Sequence, residues 1–179
     1  CLDLPGFENL EGLVKGAPMG ITIHYSGKLD APRVLPELII AARHFCSQRG
    51  WEYQDLDDRV LGKVERRTMT HVKNEELSNA EIDWTDTIVE TNIFPLDDVQ
   101  RGVLIKPHSE CEPVWLIFNQ SGELCFYLPE QEPGHYWENK FLFTKTQFAP
   151  IDIHVAICDL LHLIQDQYFP SLQVRVVSL

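Results

Sequence analysis

The chain lacks any long apolar run: none approaches the ~20 residues a membrane-crossing helix requires. It has no CxxC pair, no GxSxG turn, no nucleotide-binding loop and no nucleic-acid-binding motif. Positive charge is scarce as well. Lys and Arg number 15 against 27 Asp and Glu, a formal net charge of -12, and attachment to phosphate backbones or anionic lipid surfaces depends on clustered cations. Neither nucleic acid nor membrane is therefore an expected partner. The one compact basic cluster, Lys63 with Arg66 and Arg67, is interrupted by Glu65 and reads as a solvated strand face.

Cysteine is sparse and unpaired in pattern. Cys1, Cys46, Cys111, Cys125 and Cys158 are odd in number and mostly embedded in apolar surroundings, which suits buried reduced thiols in a cytoplasmic, bacterial-style protein better than a disulfide framework. The chain opens on Cys1, and the first Met, Met19, stands directly before the first strand signal. Residues 1–18 are accordingly set apart as an N-terminal extension or leader, and residues 19–179 as a single α+β domain.

The clearest element lies within residues 146–177. Ile153, Ile157, Leu160, Leu161, Ile164 and Tyr168 share one face of a helix opened by Pro150, with Asp152, Asp159 and Asp166 on the other face. A terminal strand follows Pro170. A second helix carries Leu35, Leu38, Ile39, Ala42, Phe45 and Cys46 on one face and ends at Gly50. It sits between an alternating strand in residues 20–29 and a strand at residues 51–56. Sliding one stretch on the other at an offset of 118 superposes Ala31-Pro32 on Ala149-Pro150 and Trp51 on Phe169. Residues 20–57 and 140–178 are thus expected as pseudo-repeated halves around an insertion, 58–139. Within the insertion, residues 103–105 read as a short strand. Residues 114–118 and 124–128 read as a hairpin around Gly122, residues 129–139 as a loop, and the acidic stretch 57–98 as an outer hairpin or surface excursion. The expected architecture is α+β: a mixed, mostly antiparallel sheet with two main helices on one face. The leading topology is a ferredoxin-like split βαβ with inserted hairpins.

Candidate chemistry is thin. His154, Cys158 and His162 recur every fourth residue on the C-terminal helix, the spacing at which side chains stack along one face, and imidazole and thiolate suit zinc. The competing explanation is that they flank the apolar stripe as ordinary boundary residues. His108 and Cys111 resemble half of a zinc site whose second half is missing, short of help from Cys125 or the helical group. Asp57-Asp58 and Asp97-Asp98 could offer carboxylates to a hard cation, but such pairs are more often solvated turns. Aromatics crowd the third quarter of the chain, and His135, Tyr136 and Trp137 are the candidate ligand-binding residues.

These features support a non-catalytic binding or regulatory module for a protein or small ligand. The alternative is a small zinc-dependent enzyme built on the helical His/Cys group with help from His24, His44 or His108. An acidic surface would favour a basic partner, and residues 174–177, an apolar strand, offer an edge on which a homodimer could form.

Overall fold

The computed structural model describes residues 21–73 and 84–178, and side chains within 21–66 and 91–177. Element order is β1 (Ile21–Ser26), α1 (Leu35–Arg49), β2 (Glu52–Lys73), β3 (Trp84–Lys106), β4 (Val114–Phe118), β5 (Phe126–Pro129), β6 (His135–Asn139), β7 (Leu142–Lys145), α2 (Ile151–Gln167) and β8 (Gln173–Ser178). The class is α+β, as expected. The sheet expected as one is two. A three-stranded sheet has the order β7-β1-β8, and a five-stranded sheet the order β4-β3-β2-β6-β5.

In the smaller sheet β7 and β8 both run antiparallel to β1, so they are parallel to each other and joined through α2. That is a split βαβ. It does not extend to the four-stranded ferredoxin-like arrangement, because the strand following α1 enters the other sheet. α1 begins after a 3-10 turn at Pro32–Val34 and stops at Gly50, whose left-handed φ of 65° returns its N–H to the carbonyls of Cys46 and Ser47. Pro150 is the N-cap of α2, which carries Asp152 in its first turn, where an acidic group meets the positive end of the helix dipole.

One core joins both helices to both sheets. Leu38, Ala42 and Phe45 of α1 and Ile157, Leu160, Leu161 and Ile164 of α2 pack with Ile23 and Tyr25 of β1, Val103 and Ile105 of β3, and Val114, Leu116 and Phe118 of β4. Each fully buried aliphatic side chain there contributes about 2 kcal/mol. The two helical stripes read from periodicity are the buried ones.

The insertion behaves differently. Residues 52–56 and 103–105, with the described parts of the acidic stretch 57–98, belong to two strands of 22 and 23 residues, paired in one antiparallel ladder from Glu52–Lys106 to Lys73–Trp84. At roughly 3.3 Å per residue the hairpin is about 70 Å long. β4 pairs with it over 101–105 and β6 over 63–65. Farther out, among the described residues, the two strands pair only with each other and form an arm. β4 and β5 sit at opposite ends of the strand order, yet a bridge between Phe118 and Leu124 and the bond from Cys125 N to Ile117 O (3.1 Å) join them, so the sheet curls. Close backbone approach is built in at Gly62, where an added Cβ would lie 1.9 Å from the Gly134 carbonyl oxygen.

Candidate functional site

The residues expected as a loop patch lie on a strand. β6 comprises His135–Asn139 and is held between β2 and β5. Strand alternation then divides the three candidates. Tyr136 faces inward beside Val64 and packs on a second small core of Val60, Val64, Leu96, Cys125 and Tyr127. His135 and Trp137 face outward. Trp137 is in register with Glu65 and Leu128, and Glu65 with Ile93, so a row Ile93–Glu65–Trp137–Leu128 crosses four strands. A neighbouring row runs Pro95–Lys63–His135. Leu61, one position further along the same face, is 54% exposed, Ile93 57% and Trp137 37%. His135 Nε2 is buried with no hydrogen-bond partner, 3.6 Å from Glu65 Oε2, beyond hydrogen-bond reach.

Beside this small core, polar groups on the inward face are hydrogen-bonded. Asp98, 8% exposed, accepts bonds from Tyr127 Oη (2.7 Å), Val99 N (2.7 Å) and Gln120 N (2.9 Å). Burial, with the Asp98 hydrogen bond added, pushes the Tyr127 phenol well above its ordinary pKa. Glu138 is gripped by Arg66 at 2.7 Å and neighbours Lys140 at 3.7 Å, and Arg66 also lies over the Phe94 ring at 5.2 Å. Three of the four paired acids are engaged, Asp98 as above. Asp97 holds Arg59 through two bonds of 2.9 and 2.8 Å, which keeps its carboxyl below the usual range, and Asp57 holds Arg101 at 2.9 Å.

The metal candidates do not gather. His154 Nδ1 lies 2.8 Å from Thr146 Oγ1 and its Nε2 3.8 Å from Cys158 Sγ, but His162, one turn on, is exposed. His24 lies on the small sheet, His44 pairs with Gln48 on α1, and His108 accepts a bond from Glu110 N. Among the described residues no three His, Cys, Asp or Glu side chains come together so as to hold a metal ion. Burial pushes the thiols of Cys46, Cys111 and Cys158 up to about 11 and Cys125 to about 12, where little nucleophilic thiolate forms near neutrality. Burial also lowers the His154 pKa.

No protein-family model, curated protein or solved structure gave a significant match to the chain. Among the described residues no helix is long and apolar enough to cross a membrane.

Leu61 and Ile93 escaped the sequence-based site. Each sits in an alternating segment, which is a strand signal, but they are 32 positions apart in the chain, and nothing local tells that β2 and β3 pair in that register.

Proposed function

We propose that this chain is a non-catalytic binding module that engages a protein partner through the outer face of β3, β2, β6 and β5 at the root of the arm. The observation that carries this is the cross-strand row through Ile93 and Trp137, with Leu61 beside it. Large apolar side chains, kept exposed, stand on a paired ladder that restrains their backbone before any partner arrives. An open sheet face spread over four strands suits a macromolecule better than a small ligand, and the net charge of -12 favours a basic one. Free Cys46, Cys111, Cys125 and Cys158 support a reducing, cytoplasmic setting. The zinc-enzyme alternative has only the His154–Cys158 contact behind it.

Photo-crosslinking from positions 61, 93 and 137 in extract of the source organism tests the reading. All three positions should capture the same protein, capture should be lost in Leu61→Asp, and a probe at exposed Phe148 should miss it. Capture from Phe148 alone, or no discrete product from the three positions, overturns it.

A further inference from the structure

Two edges bound the three-stranded sheet, and they differ. On β7, Glu112 N donates to the Lys145 carbonyl (3.0 Å) and Lys145 N to Glu112 Oε2 (3.1 Å), which closes that edge. On β8, among the described residues, β1 is the only strand partner, and the far side carries no ladder. Val176 of β8 is 50% exposed, although it shares the inward face with its register partner Ile23, which is fully buried. An apolar strand with a free edge and an uncovered inner face is open to extension by another strand.

Beside that edge lies half of a metal site. Gln165 continues the side of α2 that carries His154 and Cys158, and its Nε2 donates to the carbonyl of Leu172, the residue before β8 (2.7 Å). This side of the helix is therefore turned toward β8. Thr146 Oγ1 donates to the Ile21 carbonyl (3.4 Å), which leaves it to accept the Nδ1–H of His154 at 2.8 Å. That arrangement fixes the tautomer whose Nε2 lone pair is free, and Nε2 lies 3.8 Å from Cys158 Sγ. An imidazole nitrogen and a thiolate sulfur on one tetrahedral zinc ion lie about 3.6 Å apart. Both side chains are partly exposed. Among the described residues one chain brings no third ligand to this pair, whereas a structural zinc ion takes four.

We propose that a second copy of the chain adds its β8 antiparallel to this edge, and that the two His154–Cys158 pairs together hold one zinc ion. A two-fold axis normal to the sheet pairs one residue of β8 with itself, and two observations place it at Val176. Centred on Arg175, the axis would set one guanidinium against the other; centred on Val176, it sets Arg175 against Val177 of the second copy. The bond from Gln165 to Leu172 sets helix and strand level there. The midpoint of His154 and Cys158 lies about nine residues back along α2, a rise of about 14 Å. β8 covers that distance in about four residues, which leads from Leu172 to Val176. Both half-sites then meet at the axis. As zinc binds, the two Sγ–H protons leave to solvent and the thiolates neutralise the ion.

Native mass spectrometry of the full chain, kept reduced and titrated with zinc alone, tests this. One zinc ion per two chains is expected, with the metal-free chain monomeric, and cobalt in its place should give the visible bands of a tetrahedral thiolate complex. Cys158→Ala and Val176→Glu should each lose both metal and dimer, the second without touching a ligand, while His162→Ala and Val176→Thr keep both. Absence of zinc uptake overturns the proposal, as does one zinc ion per single chain or zinc retained in Cys158→Ala. So does a dimer equally populated without zinc.

Discussion

Asp98 shows how a single residue changes meaning once its surroundings are known. In the sequence it is half of an Asp-Asp pair indistinguishable from its neighbour. In the fold Asp97 faces water and Arg59, while Asp98 faces inward and collects three donors. Removing one donor should be costly because the carboxylate stays buried: Tyr127→Phe is expected to destabilise the protein by about 2 kcal/mol, read as a lowered urea midpoint with unchanged slope. An unchanged midpoint would mean that water replaces the phenol. The same alternation explains the divided aromatic triplet. Period two was legible in the sequence, but which parity faces the core was not, because Phe, Tyr and Trp stand at both parities and either choice buries aromatic surface.

Among elements, the helices were legible; of the arm, an outer hairpin was one of two expectations for residues 57–98, but its length and register were not legible. Both helical stripes arise within one continuous segment, so periodicity alone exposes them. Gly50 closes α1 in the left-handed region, and a Cβ there would meet nothing within 4 Å. Gly50→Ala therefore tests backbone strain without a clash, and a loss of about 1 kcal/mol in chemical denaturation is expected. Gly102 differs, since a Cβ there would lie 1.9 Å from the Leu116 carbonyl oxygen. The strands of the arm are acidic and interrupted by Pro95, Gly62 and Gly102, features that fragment a strand signal. What holds them together is a ladder of backbone bonds that carries no residue preference of its own.

At the scale of the whole molecule, buried titratable groups set a pH window. Burial pushes Cys46, Cys111 and Cys158 up to about 11 and Cys125 and Tyr25 to about 12, against ordinary values of 9.0 for Cys and 10.0 for Tyr. The folded chain keeps protons there that the unfolded chain gives up, so unfolding releases protons and stability falls as pH rises from 9.0 through about 11. His154 works at the other end. Its pKa lies below 6.5 in the fold, so the unfolded chain binds the proton more readily and stability falls as pH drops below 6.5. Urea midpoints measured across pH should show both limbs, and Cys125→Ala should reduce the alkaline slope whatever it does to the midpoint. A flat alkaline limb would show that these thiols are solvated in the folded protein. The sequence by itself determined the α+β class, both helices with their buried faces, and the short strands around them, because each depends on a pattern contained within one segment. Tertiary structure alone decided that the strands divide into two sheets and that Glu52–Lys73 and Trp84–Lys106 pair along their whole length, well beyond the outer hairpin that was one expectation for residues 57–98. It also decided that Leu61, Ile93 and Trp137 share a surface. Those outcomes depend on register between distant segments, and backbone hydrogen bonds are the same for every residue that makes them.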